Sequence, residues 1–443
     1  MNPIAVGTSK GIRSINEPAP AVLSHGRRYT NSELSLIMGQ PGLPMTTATD
    51  KPSYRVPSMA EIAELPWNGF NAVSTFSGCG GSSLGYKMAG FRVLWASEFI
   101  PAAQETYRAN HPGTILDTRD IREVQPGDIL SAIQMEAGQL DLFDGSPPCA
   151  SFSTAGKREA GWGKVKAYSD TKQRTDDLFF EFARLLRLVQ PKVFVAENVS
   201  GLVKGTAKGY FLEILKELKG CGYVVEAKLL DGQWLGVPQM RQRLIFIGVR
   251  ADLVDAHGIK PAFPKPLPYR YSVREALPWV VRQGDNGGFG GGSLRATDRP
   301  SPAIGAGPQT GNGMYPPSLV EVTPGAEPET DISRFAIGKQ WSQTPIGGSN
   351  ERYLNLKRAA TDGPSFSVTA EGGHSSTASV THPTERRKFS IAENRRICAF
   401  PDDFLLTGTY AQQWERLGRA VPPVMMRAIA EVIRDKILCQ LPK

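Results

Sequence analysis

The chain has 443 residues, more than one compact core usually holds, so a large domain, a smaller one and flexible flanks are expected. Lys and Arg outnumber Asp and Glu by 51 to 43, a net charge of +8 that suits a polyanionic partner. No apolar run is long enough for a membrane span and no secretory pattern opens the chain, so a soluble cytoplasmic protein with no membrane partner is the expectation. The cysteines, Cys79, Cys149, Cys221, Cys398 and Cys439, are odd in number and scattered, which argues against a disulfide framework. None forms a CxxC pair, so no metal is expected.

Residues 1–68 are rich in Pro, Ser, Thr and Gly and read as a mostly flexible extension. From Asn71 the pattern changes. NAVSTF is a short apolar strand, GCGGSSLG a glycine turn running into a helix that ends at Gly90, and FRVLWASE a second strand. LDLFDGSPP, KVFVAENV, YVVEAKLLD and RLIFIGVR follow as further strands, with helices over DDLFFEFARLLRLV and GYFLEILKELKGCG, the latter closed by Gly222. Such alternation predicts an α/β domain over 69–250, a mostly parallel sheet with helices on both faces. Between 251 and 383 the alternation stops and glycine-rich segments dominate, which predicts a smaller irregular domain. Regular patterning returns over 384–443, where VPPVMMRAIAEVIRDKIL reads as a terminal helix with Pro at its start.

Four clusters carry chemistry. Phe76-Ser-Gly78-Cys79-Gly80-Gly81 follows a strand and opens a helix, so bare amides can approach a ligand, and the next strand ends in Glu98, placed to hold a ribose hydroxyl pair. A nicotinamide cofactor fits that geometry as well. Gly145-Ser-Pro147-Pro148-Cys149 is a strand-end loop in which two prolines stiffen the approach to one cysteine. Glu197-Asn198-Val199 ends the next strand on the same sheet edge. In Gln239-Met-Arg241-Gln-Arg243, alternate residues of an extended segment turn both arginines to one side.

In this order and spacing, FSGCGGSSLG, GSPPCASFS, ENV and QMRQR resemble the DNA cytosine-5 methyltransferase family over about residues 70–440. FSIAENRRICAFPDDF resembles its penultimate motif. The resemblance implies a Rossmann-like S-adenosylmethionine-dependent fold, a target-recognition domain over 251–383, and a monomer acting on double-stranded DNA. It implies Cys149 as the thiolate that adds to C6 of a flipped cytosine, Glu197 at N3 and the exocyclic amine, Arg243 at O2, and Arg241 supporting the loop. For the cofactor it implies Phe76, Gly78, Cys79, Gly80, Gly81, Glu98, Phe99 stacked on adenine, Asp120 and Ile121 at its edge, Pro148, Leu178, and the last motif.

That last motif departs from the family. Leu417-Gly418-Arg419-Ala420-Val421-Pro422-Pro423 carries Arg where the family has Asn, a permanent cation beside a sulfonium that calls for an accompanying anion. In one reading Arg419 meets a DNA phosphate or a nearby carboxylate, and the enzyme is a methyltransferase. In another it binds a carboxylate on the transferred carbon, as in carboxy-S-adenosylmethionine, and the product is 5-carboxymethylcytosine. Asn394 and Arg395 also replace smaller residues, beside matching Glu393 and Arg396. A tRNA cytosine-5 methyltransferase would share the same chemistry, and a catalytically inactive DNA-binding regulator could share the fold. Intact Cys149, Glu197 and Arg243 argue against the regulator.

Overall fold

The computed structural model describes residues 51–148, 166–168, 171–173, 177–203, 208–278 and 327–442. In chain order the first elements are α1 (Met59–Ala63), β1 (Asn71–Thr75), α2 (Gly81–Met88), β2 (Arg92–Ser97), α3 (Pro101–Asn110), β3 (Ile115–Asp117), α4 (Pro126–Ile133) and β4 (Leu142–Gly145). A small hairpin, β5 (Lys166–Tyr168) and β6 (Thr171–Gln173), precedes α5 (Leu178–Val189), β7 (Val193–Val199), α6 (Lys208–Gly220) and β8 (Tyr223–Asp231). Then come β9 (Gln239–Met240), β10 (Gln242–Arg250), α7 (Ala251–His257) and α8 (Val273–Ala276).

Seven of these strands form one sheet in the order β3-β2-β1-β4-β7-β10-β8. Pairings from β3 to β7 are parallel, and β10 runs against both its neighbours. The two-residue alternation expected of a sheet covered on both faces is visible in burial. Val73, Phe143, Phe194 and Phe246 pack under α4, α5 and α6, whereas Ala72, Leu142, Val193, Val195, Ile245 and Ile247 pack on the opposite face. That second face is covered by α2 and the last long helix, α12 below. Chain order reverses between β1 and β4, the switch point at which doubly wound sheets open a crevice beyond their carboxyl ends.

The remaining described elements are α9 (Ala336–Trp341), β11 (Lys357–Arg358), β12 (Ser365–Phe366), β13 (Val380–Thr381), α10 (Ile391–Ile397), α11 (Tyr410–Arg419) and α12 (Pro423–Lys436). Ile332, Ile337, Trp341 and Leu356 make a small core of their own, consistent with a short, turn-rich unit. Strand β12 pairs with β9 in a separate two-stranded sheet, which brings residues 365–366 beside the segment that leads into β10. The segments DNGGFGGGS and IGAGPQTGNGMYPP lie outside the described residues.

Residues 51–68, expected as part of a flexible extension, are instead docked. Ser58 caps α1 and receives Glu61 in return, Ile62 is buried, the Tyr54 hydroxyl donates to Arg396 O at 2.8 Å, and Lys51 pairs with Glu275. Tyr54, Val56, Met59 and Ile62 pack into one apolar cluster with residues of the C-terminal unit, whereas Leu65 and Trp67 stay exposed.

Helix α12 begins at Pro423, where a missing N–H costs nothing, and lies against α2. The approach is closest at Gly85: a Cβ there would sit 2.5 Å from Met426 Cβ and 2.7 Å from Pro423 O. Gly85→Val should therefore lower the unfolding free energy by about 1–3 kcal/mol in urea titration, as overpacking does. An unchanged midpoint would show that the two helices separate freely.

Candidate active site

A cavity of about 870 Å³ opens where the carboxyl ends of β1, β2, β4 and β7 meet the 365–371 segment and the end of α11. The glycine loop forms one wall. Phe76, Gly78 and Gly80 take positive φ values of 53°, 56° and 93°, which turn the chain sharply from β1 into α2. A Cβ on Gly80 would enter the His111 ring and one on Gly81 would meet Val421 O, so the loop is clamped between α3's end and the last motif. Phe76, Gly78, Cys79 and Gly81 line the cavity; Gly80 sits behind it.

Glu98 ends β2 with both carboxylate oxygens engaged, one by Gly78 N–H and the other by Ile100 N–H, each at 2.7 Å. Burial raises its pKa, while those amides and the charge of Arg416 act against the shift. Phe99, Ile100 and Ile121 supply an apolar surface beside it. Besides Gly80, two further expected cofactor residues are off the wall. Asp120 is off the cavity wall, its carboxylate 3.0 Å from Arg122, and Leu178 is fully buried as the first residue of α5 in the sheet's core.

On the opposite wall stand Pro147 and Pro148, with Glu197, Asn198 and Val199. Cys149 lies outside the described residues, one peptide bond beyond Pro148. Asn198 Nδ2 donates to Pro147 O at 3.3 Å and ties the two strand ends together. Glu197 Oε1 is 2.5 Å from Arg243 Nε, an ion pair whose N–H is not aligned on the oxygen, and Arg243 Nη1 donates to Gln242 O. Beneath them Asp144 accepts from Ser74 Oγ and Tyr86 Oη at 2.9 Å each. Burial pushes that carboxyl up to about 7, with the two hydroxyls opposing and Glu197 reinforcing.

Arg241, 1% exposed, spends its guanidinium on backbone: Nη1 donates to Val368 O at 3.0 Å and Nη2 to Gly418 O and Ala420 O at 2.7 Å each. Burial, then Arg243, pushes its pKa down to about 9. The third wall is the end of α11. Arg419 Nε meets Glu415 Oε1 at 2.7 Å, and Arg416 Nη2 meets Glu415 Oε2 at 2.9 Å. Sequence reasoning misses Arg416 and Glu415. Their signal is helical spacing, since positions 415, 416 and 419 fall on neighbouring faces of one helix.

The fold and cavity define the Rossmann-like class of S-adenosylmethionine-dependent transferases. A candidate DNA modification methyltransferase encoded within an E. coli prophage superposes with a TM-score of 0.59 at 20% identity, over 84% of this chain and 100% of that one. In sequence, the type II methyltransferase M.PspPI of a Psychrobacter strain is 31% identical over 387 residues, 84% of this chain and 81% of its own length. The type II methyltransferase M1.HphI of Haemophilus parahaemolyticus is likewise 31% identical, over 82% and 86% of the two chains. The sequence profile of C-5 cytosine-specific DNA methylases matches residues 70–435, and the chain belongs to that enzyme family. No helix among the described residues is long and apolar enough to cross a membrane.

Two expectations follow from the buried groups. Arg241→Ala strands three carbonyls and should cost about 3 kcal/mol or more in urea unfolding, with Arg241→Lys restoring only part because an ammonium lacks the fork. Asp144 has a folded-state pKa above its unfolded one, so its contribution is full in acid and is lost as pH rises from about 4 to about 7. Asp144→Asn lacks that loss, and its stability relative to wild type should improve between about pH 5 and pH 8. A constant difference across that range would refute the assignment.

Proposed function

We propose that this enzyme transfers the methyl group of S-adenosylmethionine to C5 of a cytosine flipped out of double-stranded DNA, in a restriction–modification setting. One observation carries the reading. A single cavity has Pro148, the neighbour of Cys149, and the Glu197–Arg243 pair on one wall, and the glycine loop with Glu98 on another. The family's description as DNA methylases supports DNA over tRNA.

Cytosine C5 is a weak nucleophile until a thiolate adds to C6, and Cys149 supplies that thiolate. Charge then accumulates on N3 and O2. Glu197 engages N3 and the exocyclic amine while Arg243 stabilises O2, both presented from the ends of adjacent, hydrogen-bonded strands. Their mutual pairing keeps both at one wall before the base arrives. Arg241 fixes the turn between β9 and β10 that aims Arg243.

The residues of the other wall fit the cofactor. Glu98 keeps carboxylate lone pairs beyond those its two amides use, so a ribose hydroxyl pair has acceptors there. Phe99 and Ile121 give the adenine an apolar bed, and Gly78 lets backbone approach closely. When bound, S-adenosylmethionine supplies an electrophilic carbon on a sulfonium. Loss of the C5 proton then releases Cys149.

Arg419 has its anion in Glu415, which supports the methyl reading. A second reading, transfer of a carboxymethyl group from carboxy-S-adenosylmethionine, is favoured by one feature: Arg419 stays on the cavity wall and shares the Glu415 carboxylate with Arg416.

Nucleoside mass spectrometry on DNA incubated with pure protein and either donor tests both readings. 5-Methylcytosine is expected, reduced about a thousand-fold or more by Cys149→Ser and about a hundred-fold or more by Glu197→Gln. Carboxymethylcytosine formed in preference would install the second reading. No modified cytosine from either donor would sink both.

A further inference from the structure

The end of α11 holds a buried cation with an unmatched donor. Arg416 is 4% exposed yet stands on the cavity wall, and Arg419 stands there with it. Both guanidinium groups lean on one carboxylate, Glu415, at 2.9 and 2.7 Å. Burial raises the pKa of Glu415, but the charges of Arg419 and Arg416 prevail and hold it below the ordinary value, so it is an anion throughout the neutral range. Arg416 Nε is buried and has no hydrogen-bond partner among the described residues.

A buried cation whose donors are unmatched costs free energy unless something arrives to match them. The position of Arg416 says where that partner sits. Its charge acts on Glu98, at the end of β2, and on Cys79 of the glycine loop, and its carbonyl accepts from Cys79 Sγ at 3.8 Å. Arg416, Glu98 and Cys79 line the same cavity.

We propose that Arg416 is a carboxylate receptor for the sulfonium donor, its guanidinium taking a carboxylate that the donor carries. The inference rests on the reading of the cavity as a cofactor site and adds the residue and ligand group. Two carboxylates share this chemistry: the one on the donor's amino-acid arm and, in a carboxylated donor, the one on the transferred carbon. A charge-assisted, fork-shaped donor suits either.

Calorimetric titration of the full chain with three donors separates the sources: S-adenosylmethionine, its decarboxylated form, and carboxy-S-adenosylmethionine. In wild type, removing the recognised carboxylate should weaken binding about ten-fold or more, the usual worth of a hydrogen bond to a charged group. In Arg416→Gln that discrimination should collapse. Collapse between S-adenosylmethionine and its decarboxylated form assigns the amino-acid carboxylate; collapse between the carboxylated donor and S-adenosylmethionine assigns the one on the transferred carbon. Full discrimination retained in both pairs, or equal weakening of all three donors, overturns the proposal.

Should Arg416→Gln fail to fold by circular dichroism, Glu415→Gln tests the same point with opposite sign. Removing the internal competitor should widen the preference for the carboxylate-bearing donor, and an unchanged or narrower preference overturns the proposal. Binding is read without turnover, so the outcome is separate from whether wild type yields a modified cytosine.

Discussion

The cavity exists because one guanidinium is buried among three carbonyls. Arg241 stands at the turn between β9 and β10, and its donors reach Val368 in the irregular segment and Gly418 and Ala420 at the end of α11. These three stretches are far apart in sequence and share no helix or ladder except the two-residue pairing of β9 with β12. Trp414 Nε1 donating to Thr369 O and Ser367 Oγ donating to Met240 O also join neighbouring stretches, and Arg241 reaches all three at once. Burial depresses the Arg241 pKa to about 9, still high enough to leave it charged at neutral pH, so the clamp stays charge-assisted.

Two walls of the cavity each set guanidinium against carboxylate. On one, Glu197 meets Arg243 at 2.5 Å, and the charges of both act on buried Arg241. On the other, Glu415 meets Arg416 and Arg419, and the charge of Arg416 also acts on Glu98. Charges of both signs thus stand on each wall, so a polar ligand enters by exchanging partners with groups that are already paired.

What is legible in the sequence is whatever lies at a strand end. Gly78, Glu98, Pro148 and Glu197 stand on the cavity wall because short apolar runs define their strands and a parallel sheet delivers carboxyl ends to one edge, where antiparallel β10 brings its first residues, Arg243 among them. Leu178 is misplaced because the start of an amphipathic helix gives no hint of which way its first residue faces; here it turns into the core. Helix α3, PAAQETYRAN, escapes sequence reading because its apolar positions are few and small, so its periodicity is faint. The docking of residues 51–68 rests on single side chains: Tyr54 reaches Tyr271 and Arg396, more than 200 positions later, and Ile62 enters a cluster drawn from residues 79–88 and the C-terminal unit. No local pattern encodes such pockets.

Chain without a sheet must still satisfy its carbonyls, and in the irregular segment buried cations do so. Lys388, fully buried, donates to the carbonyls of Gly372, His374 and Thr377, with Trp414 beneath its ammonium. Arg358 donates to the carbonyls of Pro383 and Thr344 while stacked 3.8 Å from the Trp341 ring. Arg241 makes the same kind of contact at the border of the cavity. A cation brings several donors on one side chain, so a few buried cations replace a ladder of backbone N–H groups. Such a scaffold holds its loops through carbonyls that every residue has, and it places little demand on the side chains between them. Val368 is held at the cavity in this way, through its carbonyl.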